Sequence, residues 1–267
     1  MKKIILIAVI LGVTVATAAM AGCIRNLKCG AGKDVAGGKR TERSVTAPDC
    51  HSIHAARAVE VFITDASTQT IRIEASEKLM PYVIVEEQNG TLQITIDKRI
   101  KRIPDAEVRV YVPANGKLDE LRASSAAKII CRTALGAERF VLDASSAAQI
   151  EAAVNTGACV IDASSAAYVK AALRTGTCTV DASSAAKVVL SGAADRCSTD
   201  ISSAAKFNAP ELQVARYEID ASSGSSASIQ CTETLRAEAS SGASIEYTGD
   251  CATDLSRSSG GSIRQTR

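Results

Sequence analysis

Cysteine, histidine, serine and aspartate are the residues of this chain with the chemistry to act on a ligand. Nine cysteines and two histidines are spread over 267 residues. Serine catalysis needs a base to accept the hydroxyl proton, and only His51 and His54 offer one. The serines instead fall in pairs that begin at 124, 145, 164, 183, 202, 222, 240 and 258. A catalytic serine is singular, whereas one that recurs at a fixed interval marks a packing position. Cys50-His51-x-x-His54 is the one histidine-bearing cluster, and no closely spaced cysteine pair of the kind a structural zinc site uses is present. The residues therefore point to no catalytic group, no metal and no cofactor.

Acidic residues share the interval of the serines. Two positions before each pair stand Asp143, Asp162, Asp181, Asp200, Asp220 and Glu238, with Arg122 in the first copy. Stacked carboxylates offer oxygen ligands to Ca²⁺. The Gly- and Asp-rich nonapeptides of calcium-binding β-rolls are absent, however. The acidic column is read as a solvated outer ladder, with Lys128, Lys187 and Lys206 beyond the serines easing its repulsion.

The cysteines divide by position. Cys159, Cys178 and Cys197 share one column, five residues before the pairs. Strands ~4.8 Å apart would hold their Cβ atoms slightly beyond the ~3.8 Å of a disulfide, so a buried stack of free thiols is expected. Cys231 and Cys251 lie about one repeat apart and are the candidate disulfide. Cys23 is the candidate for lipidation; Cys29, Cys50 and Cys131 take no role.

The elements that position these residues follow from the repeat. Successive pairs are 21, 19, 19, 19, 20, 18 and 18 residues apart. That period is too short for paired helices and leaves about five or six residues per side of a three-sided coil. A parallel β-solenoid fits, right-handed by the rule for parallel crossovers. Two further columns are apolar. Leu142, Ile161, Val180, Ile219 and Leu255 lie three before the pairs, and Ile129, Ile150, Val169, Val188 and Phe207 lie five after. Alternation at period two puts these inside and the acidic column outside. The Ser-Ser-Ala-Ala stretch, small on both faces, suits a corner. The copy DASSGSSASI at 220–229 is read with two extra residues, as a bulge or wider corner.

The first 22 residues read as a signal peptide: Lys2-Lys3, an apolar run from Ile4 to Val15, then small residues up to Gly22. Two cleavages compete. Ala19-Met20-Ala21 suits ordinary signal peptidase, and Met20-Ala21-Gly22-Cys23 suits a lipoprotein box that would make Cys23 the lipidated first residue. Residues 23–45 read as a flexible tether carrying Arg25, Lys28, Lys33, Lys39, Arg40 and Arg43. Lys2 and Lys3 supply the net charge of +2, so the rest is balanced. Nucleic-acid binding, which needs a basic surplus, is not expected. Residues 46–267 form one domain, with 46–117 as capping strands and first coils and 118–267 as the Ser-Ser-Ala-Ala coils. Five alternating runs fill the cap, at 58–64, 70–75, 82–86, 91–96 and 107–112, and Gln88-Asn89-Gly90 marks a hairpin turn.

The pieces SIHAARAVEVFIT at 52–64, TIRIEAS at 70–76, NGTLQITI at 89–96 and VRVYVPANGKLDELRASSAAKI at 108–129 resemble the putative auto-transporter adhesin, head GIN domain family. The resemblance runs from about Ser52 to Ile263. Many coils of that family read Leu-x-x-Ser-Gly-Ser-Gly-x-Val, and here Ser-Ser-Ala-Ala replaces the Ser-Gly pairs in most. The resemblance implies an all-β, right-handed parallel β-helix with coils of about 19 residues and a strand-rich N-terminal cap. The function expected is a non-catalytic exported lipoprotein: an adhesin, or a binding or structural protein of the cell envelope. Its partner would be a surface glycan or envelope protein, and its membrane contact a lipid anchor alone. The location would be the outer membrane or the periplasm. The competing reading is a β-helix lyase or hydrolase acting on polysaccharide, which would need long loops to build a cleft. The near-constant coil length speaks against them.

Overall fold

The computed structural model describes residues 38–101 and 108–266. The chain divides into Met1–Gly32 and Lys33–Arg267, and every described residue belongs to the second unit. The leader 1–22, Cys23 and Cys29 lie outside the described residues. Among the described residues there is no α-helix, and none is long and apolar enough to cross a membrane.

The front segment holds β1 (Arg40–Thr46), β2 (Ser52–Ala56), β3 (Glu60–Thr64), β4 (Thr70–Ser76), β5 (Val83–Gln88), β6 (Thr91–Ile96) and β7 (Arg109–Pro113). The repeat region follows with β8 (Glu120–Ser124), β9 (Lys128–Ala144), β10 (Gln149–Ala163), β11 (Tyr168–Ala182), β12 (Lys187–Ile201), β13 (Lys206–Ala221) and β14 (Ser226–Ala239). It closes with β15 (Ser244–Thr248), β16 (Ala252–Arg257) and β17 (Ser262–Gln265).

Strands β9 to β14 stack in parallel, each residue over its equivalent in the next coil: Val180 pairs with Ile161, and Cys178 with both Cys159 and Cys197. The apolar columns point inward as the alternation requires, and Ile161, Val180, Ile219, Val169 and Val188 are at most 1% exposed. Within β10 the inward parity changes: Ile150, Ala152, Val154 and Thr156 are buried before Gly157, then Cys159, Ile161 and Ala163 after it. The chain therefore bends there. Beside the bend, buried Thr156 donates its hydroxyl towards the carbonyls of Ala137 (2.7 Å) and Glu138 (3.1 Å). Of the large aromatics only Phe140, Phe207, Tyr217 and Tyr247 are buried, so Ala, Val, Ile and Leu fill the interior.

Each Ser-Ser-Ala-Ala stretch is a tight turn. The second Ser and first Ala both take left-handed backbone, φ 54° and 60° at Ser146 and Ala147, 53° and 60° at Ser165 and Ala166. The amide of Ala148 donates to the carbonyl of Ser145 at 3.1 Å, which with two positive φ values defines a type I′ turn. The amide of Ala147 donates to Ser165 of the next coil at 2.9 Å, so the corners are bonded to each other as well. Three later copies place Gly224, Gly242 and Gly260 in the Ala position. Arg57-Ala58 in the front segment takes the same conformation, and Ala58 donates to Ser125. The repeat therefore starts one coil earlier than its serines.

The copy at 220–229 differs from the sequence reading. Its corner has the ordinary length: Ser226, Ala227 and Ser228 pair with Lys206, Phe207 and Asn208. The irregularities sit elsewhere, at 209–213 and 214–216 of β13, next to Pro210. Proline has no amide to give the ladder, so the chain bulges there. The 21-residue first repeat likewise spends its surplus at 131–133 of β9.

The front segment closes the stack. The β2–β3 coil lies against β8 and the start of β9, and on its other side against β6 and β7. Antiparallel β5 covers β6 through the Asn89-Gly90 turn (φ 54° and 80°), and antiparallel β4 covers β7. Residues 40–46, placed by the sequence mostly in the tether, form strand β1 along β4. Their composition is polar on both faces, so only the pairing reveals the strand.

Candidate functional site

The acidic column is continuous. Asp143, Asp162, Asp181, Asp200, Asp220 and Glu238 pair in register through five successive coil contacts. Its ends are neutralised: Arg122 reaches Asp143 at 3.7 Å, and Arg236 reaches Glu238 at 3.1 Å. Among the described residues the four between form no ion pair. Burial and the flanking carboxylates of Asp143 and Asp181 push the Asp162 carboxyl above the usual Asp range. Asp220 is raised in the same way, by burial and then by Glu238, Asp200 and Glu218. The expected lysine relief is indirect at best: Lys128 pairs with Glu151 at 3.8 Å, and Lys187 lies over the Tyr168 ring at 5.7 Å. Among the described residues no group of three or more His, Cys, Asp or Glu side chains is placed to hold a metal ion.

The cysteine column is a buried stack of free thiols, with Cys159, Cys178 and Cys197 at 1–3% exposure. It continues through hydrogen bonds from Cys197 to the Thr199 hydroxyl and from there to the Tyr217 hydroxyl, both at 3.5 Å. Cys178, hydrogen-bonded to both neighbours and shut away from water, has its thiol pKa pushed well up. Cys231 and Cys251 are also free, and the Cys231 thiol donates to the carbonyl of Thr234 at 3.1 Å. Burial first, and Cys231 second, push Cys251 up to about 11.

The histidines are closer to serine than their sequence positions suggest. His54 Nε2 lies 3.2 Å from Ser124 Oγ, because β2 pairs directly with β8. His51 Nδ1 lies 3.2 Å from Asp119. The two pairs do not merge: the carboxylate serves one histidine and the serine the other. A relay of serine, base and orienting acid is thus not assembled from them.

The outer face of residues 137–144 and their equivalents carries three parallel columns. The acidic column is one. Two residues before it runs a mixed column ending in Ser198, Glu218, Arg236 and Asp254, and two before that a column with Arg139, Thr177, Arg196, Arg216 and Thr234. Between the last two of these lies a groove of about 650 Å³, lined by residues 177–179, 196–198, 216–218, 234–236 and 252–254. Sequence reading found the acidic column and overlooked this groove, because arginine recurs in only some coils.

The arrangement defines a class: a β-solenoid whose corners and columns repeat so regularly that side chains are displayed in ladders. The sequence profile of the family described as putative auto-transporter adhesin, head GIN domain, matches residues 49–251, and the chain belongs to that family. No curated protein matches it significantly. Solved structures share the fold. A putative adhesin from Parabacteroides merdae superposes with a TM-score of 0.79 at 20% identity, over 86% of this chain and 97% of that one. A putative lipid binding protein from Parabacteroides distasonis gives 0.78 at 18%, over 86% and 98%. A putative adhesin from Bacteroides fragilis gives 0.66 at 15%, over 86% and 98%.

Proposed function

We propose that this chain is a non-catalytic, exported lipoprotein, anchored through Cys23, that offers its ladder surface to a glycan or protein of the cell envelope or its surroundings. The observation that supports this most is the register of the outward columns. Equivalent side chains recur every ~4.8 Å over successive coils, which suits a partner that is itself extended or repetitive. Length variation falls at bends such as 131–133 and 209–213, so among the described residues no long loop rises beside the columns to enclose a reacting bond. The oxidising setting outside the cytoplasm would let Cys231 and Cys251 close a disulfide, and the influence of the Cys231 thiol on the Cys251 pKa marks the two as neighbours.

Two measurements test the reading. Metabolic labelling with a palmitate analogue should mark the protein and fail in Cys23→Ala; equal labelling of both would remove the anchor. A glycan array probed with the purified protein, beside capture from envelope extracts, should give binding without turnover. Shortening of a bound glycan would overturn the non-catalytic reading.

A further inference from the structure

We propose that the groove between the arginine column and the mixed column binds a linear glycan bearing carboxylate or sulfate groups, with Arg196 and Arg216 as its anion clamp. This rests on the reading of the chain as a binding module and names the ligand class and the surface.

The clamp follows from register. Arg196 and Arg216 are direct partners in adjacent coils, so their side chains leave the sheet side by side. Like charges placed directly opposite each other destabilise a sheet. Among the described residues neither guanidinium reaches a carboxylate within ion-pair distance. The neighbouring positive charge is already spoken for, since Arg236 lies 3.7 Å from Glu218 and 3.1 Å from Glu238. The uncompensated cation pair therefore lines one wall of the groove on this face. Guanidinium forks match carboxylate and sulfate oxygens geometrically and shed water easily.

The rest of the lining holds the carboxylates of Glu218 and Asp254 on the mixed-column wall and hydroxyls beside the clamp, and the hydroxyls favour a sugar polymer. Thr177, Ser198 and Thr234 place hydroxyls beside the clamp, where they can share hydrogen bonds with ligand hydroxyls. The groove crosses five coils, roughly 19 Å from first to last at the strand spacing. A single small anion would leave most of it empty, whereas a chain running parallel to the stack would fill it. The acidic ladder stands beyond the mixed column and repels a polyanion from that side, holding it on the arginine edge.

The test uses the full-length chain in detergent with fluorescein-labelled octasaccharides of heparin, galacturonate and dextran. The sulfated or the uronate probe should bind and neutral dextran should not, and added NaCl should weaken binding. The pair of anionic probes separates sulfate from carboxylate. The double variant Arg196→Ala/Arg216→Ala should lose about tenfold or more in affinity, as expected for two charge-assisted contacts. Arg174→Ala, outside the groove, should stay within about twofold on the same reasoning. Thermal unfolding of the double variant should be unimpaired, because it relieves a repulsion. Undiminished binding by the double variant, or equal binding of dextran, would overturn the proposal. If the array finds a neutral glycan or a protein partner while both anionic probes fail, the clamp falls and the binding module stands. If a probe binds at the groove and is shortened, the clamp stands and the non-catalytic reading falls.

Discussion

At the residue scale, the corners carry an internal cost. A left-handed backbone conformation costs an L-residue with a Cβ roughly 1 kcal/mol, and glycine nothing. Ser146-Ala147 and Ser165-Ala166 each pay it twice per turn, and cross-coil hydrogen bonds compensate. Ala166→Gly should therefore stabilise the protein by about 0.5 kcal/mol, the strain relieved exceeding the freedom gained by the unfolded chain. Ala167→Gly, at 1% exposure and outside the left-handed pair, should cost about 1 kcal/mol. Urea unfolding of the two variants checks the contrast, and equal effects would disprove it. The serine pairs announced a corner but not its geometry, because alanine is an uncommon occupant of such positions. The signal was present all the same, in the Gly224, Gly242 and Gly260 that fill the same slot elsewhere.

At the element scale, the acidic column links fold to pH. The carboxyls of Asp162 and Asp220 are raised in the native state, so folding favours their protonated forms. Their contribution is full below the unfolded value and is lost as pH rises through the higher native one. Asp97 works in the other direction. Hydrogen bonds from Arg99 hold it at about 2, so its contribution is present above the ordinary Asp value and fades as pH falls through it. The melting temperature should rise as pH drops from neutral towards about 4, then turn down below. Asp162→Asn/Asp220→Asn should flatten the rise, and an unchanged slope in that variant would refute the linkage. The column was legible because each coil keeps its Asp at one offset from the serines. Strand β1 was not, since RTERSVT shows no apolar alternation and exists through its pairing with β4. Nor was the His54–Ser124 contact, which depends on β2 lying beside β8 across the intervening strands β3 to β7.

At the scale of the whole stack, the two ends are finished differently. The front is covered by antiparallel β4 and β5, and the far end by the short β16 and β17, whose charged Asp254, Arg257 and Arg264 discourage further pairing. Removing residues 250–267 should expose the edge of β14 and cause concentration-dependent association, visible by light scattering. A truncated chain that stays monomeric would show that the terminal strands are dispensable as an edge cover. The solenoid itself could be read from the repeat because each coil meets only its neighbours, so equivalent letters must stack. The groove could not, because it emerges from arginines in only some of the coils and from bulges that shift the numbering between them.

The exact overlay of β10 on β11, nineteen residues apart, has a genetic corollary. A replication slip that copies nineteen codons from within this region would insert one more rung with every column intact and both closures untouched. A slip of a codon more or less would be taken up where β9 and β13 already carry surplus residues. Lineages should therefore drift in length by whole rungs, gaining or losing display surface without having to reinvent a core.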